Sequence, residues 1–125
     1  MPDDSSLHAR GRTAEEAAAR LLETAGWKIV YRNFRTSRGE IDIIAERGNL
    51  LAFIEVKAAN RMTCRDLAHA VSPRKRRTII ECSKHFLYLH RKYSTWHLRY
   101  DVMVMGAEQC MAHVEGAFAE HDEAT

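Results

Sequence analysis

Residues 39–57 read G-E-I-D-I-I-A-E-R-G-N-L-L-A-F-I-E-V-K. Two runs rich in β-branched and aliphatic residues, 40–46 and 50–57, flank Gly48-Asn49. Such runs favour strands, and Gly-Asn between them is a two-residue hairpin signal. With Gly48-Asn49 as the loop, Asp42 lies opposite Glu55 and Glu40 opposite Lys57. With Arg47-Gly48 as the loop, Glu40 faces Glu55 and Asp42 faces Phe53. Either register leaves a carboxylate pair, with Cβ atoms about 4.5–5.5 Å apart. Facing carboxylates repel unless one takes a proton or a cation lies between them. A hard divalent ion suits that position, and Glu55 and Lys57 share a face. Ionised side chains on a strand are commonly just its wet face. Here they are embedded in apolar flanks, Ile41, Ile43 and Ile44 on one strand and Phe53, Ile54 and Val56 on the other.

A helix is expected over 14–25. Thr13 and Glu16 form a capping box and Gly26 ends it. Ala14, Ala18, Leu21, Leu22 and Ala25 give one apolar face, with Glu15 on or beside it and Glu16 off it. Residues 27–33 read as the first strand, and 61–71 as a loop or short helical turn. Ser72 as N-cap and Pro73 at the first helical position open a second helix to about Arg91. Its buried stripe is Ile79, Ile80, Phe86 and Leu87. Residues 96–105 read as a fourth strand and 110–114 as a short edge strand. The order αβββαβ predicts an α/β fold, a mixed central sheet flanked by helices. The domain is expected over 13–118, after a disordered arm at 1–12 and before an acidic tail at 119–125.

The chain has 125 residues, 46% hydrophobic and 29% charged, which excludes disordered and collagenous classes. No apolar run reaches the roughly 18 residues of a membrane span. The first residues do not resemble a secretory signal. Cys64, Cys82 and Cys110 form no C-x-x-C pair, which argues against a disulfide framework and for a reducing cytoplasm. The seven histidines lack zinc spacing. Trp27, Phe53, Phe86 and Trp96 read as core, and Asp101 as a polar partner for Arg99 or a loop. The net charge of +2 conceals a body at 11–118 of +6 between acidic ends. A basic body suits a polyanion.

Arg74-Lys75-Arg76-Arg77 stands in the first turn of the second helix, where positive charge opposes the macrodipole. Phosphate contact accounts for that placement, the alternative being a solvated cluster. Arg35 and Arg38 flank the same path. Nothing here reads base edges, so shape or ends would be recognised over sequence.

G-E-I-D-I-I-A at 39–45 followed by A-F-I-E-V-K at 52–57 resembles the D-(x)n-E-x-K core of the PD-(D/E)XK nuclease superfamily. More narrowly, the chain resembles the small bacterial YraN family of endonuclease-like proteins. The likeness extends to G-R-T-A-E-E-A-A at 11–18, R-N-F-R at 32–35, A-V-S-P-R-K-R-R at 70–77, R-Y-D-V at 99–102 and the terminal Ala117-Phe118. It implies a restriction-endonuclease-like αβββαβ core and Mg²⁺- or Mn²⁺-dependent phosphodiester hydrolysis. By this resemblance Asp42, Glu55 and the Val56 backbone carbonyl would hold the metal, with Glu15 reaching it directly or through water. Lys57 would position the attacking water. Glu40 would be auxiliary or ion-paired to Lys57. Ala58-Ala59 and His69 depart from the family pattern.

The expected activity is a metal-dependent DNA endonuclease, for branched or otherwise structured DNA. The alternatives are a nucleic-acid-binding module of the same fold with little catalysis and an RNA endonuclease. A glycosidase fits poorly with the lysine and the basic body. Symmetric cleavage of a junction would require a homodimer, for which the edge strand at 110–114 is a candidate surface.

Overall fold

The computed structural model describes residues 4–58, 71–106 and 109–120. Its elements are α1 (Asp4–Thr24), β1 (Lys28–Thr36), β2 (Gly39–Arg47), β3 (Leu50–Ala58), α2 (Pro73–Leu89), a 3-10 turn (Arg91–Tyr93), β4 (His97–Met105) and β5 (Cys110–Phe118). The strands form one sheet in the order β1-β2-β3-β4-β5. Its β3–β4 pair is parallel and the others antiparallel. A tight turn cannot join parallel neighbours, so the chain crosses over through α2.

The helices cover opposite faces. On one, Ala14, Ala18, Ala19 and Leu22 of α1 pack on Ile43, Ala45, Ala52, Ile54, Val56 and Met103. The alanines let the α1 backbone sit close to the sheet. On the other, Ile79, Ile80 and Phe86 of α2 pack on Ile44, Leu51, Phe53, Tyr100, Val102 and Val104. The central strands β2 and β3 are covered on both sides, which is why their sequences run apolar rather than alternating.

The second helix begins as expected, with Ser72 Oγ accepting from the Lys75 backbone N–H at 3.1 Å. The first does not. It starts at Asp4, so residues 4–12 are helical rather than a disordered arm, and Thr13 and Glu16 lie inside the helix rather than capping it. Once 14–22 is packed, extension needs propagation without a new nucleus. Leu21, expected on the buried face, is exposed. Strand β5 is longer than the expected 110–114 and completes the sheet edge. The segment 61–71, with Cys64 and His69, lies outside the described residues except for Val71, and the tail does so beyond Glu120.

Candidate functional site

The β2–β3 ladder runs from Arg47↔Leu50 to Ile43↔Ile54, the register of a Gly48-Asn49 loop. It stops one step short of Asp42 and Glu55. There Asp42 Oδ2 accepts the Val56 backbone N–H at 2.8 Å. A side chain therefore satisfies a main-chain donor that the ladder leaves free. The β1–β2 ladder skips the same level: Arg32↔Ile43 and Phe34↔Ile41 are partners, while Asn33 and Asp42 between them are not. Asn33 adopts φ 55°. The sheet is thus loosened on both sides of Asp42.

Around this opening the acids gather. One carboxylate oxygen each from Glu15 on α1 and from Glu40 and Asp42 on β2 lie within 4.8 Å of one another. Glu15 is half-buried while Glu16 is exposed, as the helix-face reading expects. With its amide nitrogen turned toward the acids, Asn33 donates to Glu15 Oε2 at 3.1 Å and Glu40 Oε1 at 3.2 Å. Glu55 on β3 is only 5% exposed. Its Oε1 lies 3.5 Å from Lys57 Nζ and 3.8 Å from Lys75 Nζ. Its Oε2 is buried with no hydrogen-bond partner among the described residues.

Burial pushes the carboxyls of Glu15, Asp42 and Glu55 up from their ordinary range. For Glu15 the neighbouring charges of Asp42 and Glu40 add to this. For Asp42 the Val56 hydrogen bond opposes it. For Glu55 the Asp42 charge adds and the two lysines oppose, leaving it at about 7. Charge repulsion and desolvation thus make this a site that gains from a cation.

Two expectations change here. Glu40 does not pair with Lys57: its Oε2 accepts from Arg35 Nε at 2.6 Å, across the β1–β2 register. Arg35 is therefore tied to the acids, and Lys57 pairs with Glu55 instead. The basic turn of α2 also divides. Lys75 reaches Glu55. Arg76 Nε donates to the Val71 carbonyl at 3.0 Å and its guanidinium lies 5.8 Å from the Phe118 ring centroid. Arg74 and Arg77 line a cleft of about 620 Å³ with Arg38, Thr78, Lys84 and Glu120. Sequence reasoning assigned no role to Asn33, nor to Lys75 within the acidic site. A signal existed for Asn33, since asparagine is disfavoured mid-strand yet tolerates the left-handed region.

Asp101 is the other buried acid, at 0% exposure. It accepts two bonds from Arg99 at 2.9 Å, one from the Gly116 N–H at 3.0 Å, and contacts His113 Nε2 at 2.8 Å. Burial pushes its carboxyl up, but these partners outweigh burial and hold it below the ordinary range. It ties β4 to β5, serving Arg99 as expected and, in place of a loop, the Gly116 amide within β5.

The fold and its acidic opening define a mixed α/β protein with a restriction-endonuclease-like core. Within that class the chain belongs to the uncharacterised protein family UPF0102, the YraN family, whose profile matches residues 14–105. It is 38% identical over 117 residues to the UPF0102 protein of Rhodopseudomonas palustris strain BisB18, covering 94% of this chain and 85% of the relative. A Bradyrhizobium diazoefficiens UPF0102 protein is 38% identical over 117 residues, covering 94% and 86%. One from Granulibacter bethesdensis is 42% identical over 113 residues, covering 90% and 70%. No helix among the described residues is long and apolar enough to cross a membrane.

Proposed function

We propose that this protein is a divalent-metal-dependent endonuclease that hydrolyses phosphodiester bonds in nucleic acid, DNA ahead of RNA. The observation that carries this reading is Glu55 Oε2, buried beside Asp42 with no partner among the described residues. An ionised carboxylate oxygen so placed is costly unless a cation satisfies it. The donors present are all oxygens and mostly carboxylates, which fits Mg²⁺ or Mn²⁺ rather than a soft metal. Asp42, Glu55 and the Val56 carbonyl would hold the ion, with Glu15 direct or through water and Glu40 auxiliary. Bound there, the ion would neutralise charge at a phosphate and acidify water.

The chain's own residues do the rest. Lys57, anchored on Glu55, orients a water or neutralises developing charge. Lys75 adds a second ammonium on the same carboxylate oxygen. Arg38, Arg74, Arg77 and Lys84 outnumber Glu81 and Glu120 in the same cleft, which leaves it cationic on balance and suited to backbone phosphates. Their contacts carry no base information, so structure-dependent recognition follows.

The test is incubation with branched, nicked and linear DNA, and with matched RNA, in Mn²⁺ and in Mg²⁺. Asp42→Ala and Lys57→Ala proteins run alongside. Cleavage lost in both variants supports the reading. Metal-independent cleavage, or cleavage that survives in both, rejects it. Salt-sensitive binding without cleavage would point to the second reading, a binding module, which the cationic cleft alone is enough to support.

A further inference from the structure

Asn33 sits mid-strand in β1 with a left-handed backbone that side-chain-bearing residues rarely adopt. Asparagine is among the few that tolerate it, and such a conformation inside a strand concentrates at functional sites. The apolar core does not account for it. Asn33 is exposed and belongs to neither hydrophobic cluster, whereas the next residue, Phe34, is buried in one. The strained conformation coincides with the level at which β1 and β2 fail to pair, beside Asp42. From there the Asn33 amide reaches Glu15 Oε2 on α1 at 3.1 Å and Glu40 Oε1 on β2 at 3.2 Å. Carboxylates only accept, so an amide with two donors can bridge them where another acid or a hydroxyl could not. Arg35 holds the other oxygen of Glu40. Of the three acids in the cluster, Asp42 is held by the Val56 amide, and with the Asn33 nitrogen turned toward the acids Glu15 and Glu40 are joined through it.

We propose that Asn33 is the positioning residue of the site: its amide clamps Glu15 of α1 to Glu40 of β2, so that both present oxygen toward the ion held at Asp42. This rests on the metal-site reading above. It assigns a role to a residue that would touch neither metal nor substrate. Partners that orient metal ligands typically account for about 10–100-fold in metal affinity.

The test uses the full chain and Mn²⁺ alone, with affinity read by the loss of free-ion EPR signal and fold by melting temperature in EDTA. Asn33→Gly removes the amide but keeps the left-handed backbone at no steric cost. It is expected to weaken Mn²⁺ binding by about tenfold or more, with melting temperature unchanged or raised. In a Glu15→Gln background the same substitution should cost much less, because the clamp has already lost one jaw. Equal Mn²⁺ affinity in wild type and Asn33→Gly overturns the clamp while leaving the metal site standing. So does a loss that is fully additive with Glu15→Gln, or one that comes only with a lower melting temperature. A wild-type chain that binds no Mn²⁺ overturns the clamp and the metal-site reading together.

Discussion

Replacing Glu55 with glutamine should stabilise the metal-free protein at neutral and alkaline pH and do little in acid. Burial, then the Asp42 charge, lifts the Glu55 carboxyl from 4.5 to about 7 in the folded state. The folded chain therefore holds this proton more tightly than the unfolded chain does. Below 4.5 both states are protonated and Glu55 costs nothing; between 4.5 and about 7 the folded state progressively loses stability; above that window the full cost is present. The rise corresponds to on the order of 3 kcal/mol. Glutamine removes the titration and keeps the shape. Urea denaturation in EDTA, followed by Trp27 and Trp96 fluorescence from pH 4 to pH 8, reads both proteins. Wild type and Glu55→Gln should agree within about 1 kcal/mol near pH 4 and diverge by about 3 kcal/mol at pH 8. Asp42 shares its field with Glu55, so the difference curve reads Glu55 together with its coupling to Asp42. Adding Mn²⁺ at pH 8 should recover stability in the wild type and not in the variant. A stability difference that stays flat across the range would refute the reasoning, because Glu55 would then ionise at its ordinary pH.

Asp101→Ala should destabilise by about 1–3 kcal/mol at pH 7, read as a fall in melting temperature, since the Gly116 amide loses its acceptor while Arg99 keeps Glu115 at 3.4 Å. Because Asp101 is held below its ordinary 3.8, its contribution is complete above that pH and is lost as pH falls further. Arg74→Ala and Arg77→Ala should each weaken oligonucleotide binding and lower the slope of log affinity against log salt by about 1; Arg76→Ala, whose guanidinium serves Val71 and Phe118, should leave that slope unchanged. Glu120 pairs with Lys84 at 2.6 Å in the same cleft. Glu120→Lys should therefore tighten oligonucleotide binding severalfold at low salt and not at high salt, and equal affinity under both conditions would count against the cleft as the binding path.

The hairpin was readable from Gly48-Asn49 and the apolar strands around it, but two loop placements fitted that pattern, and the paired strands select the Gly48-Asn49 register. What happens at its open end was not. The bond from the Val56 amide to Asp42 replaces a rung of the ladder, and no local pattern announces that exchange. Glu40 was matched to Lys57 because a hairpin considers one neighbour. In the sheet β2 has two, and Arg35 on the other side takes Glu40. Glu15 was separable from Glu16 because helical phase is a local property. The same geometry sends Arg74, Lys75, Arg76 and Arg77 in different directions, so a basic run that reads as one patch serves a cleft, an acidic site and the body of the fold. The helix start was misplaced because a capping box is a local preference that a packed, already nucleated helix can override.

The rung that Asp42 takes over has a spectroscopic consequence. The Val56 amide proton answers to a carboxylate, and its resonance should move when that carboxylate is protonated or engaged by a cation. The Gly116 amide proton is held by Asp101 in the same way, in the β4–β5 network. Two backbone amides bound to buried aspartates thus form a matched pair, one in the candidate site and one remote from it in the chain. In a nitrogen-15-labelled sample titrated with Mg²⁺, the first is the indicator and the second the internal standard.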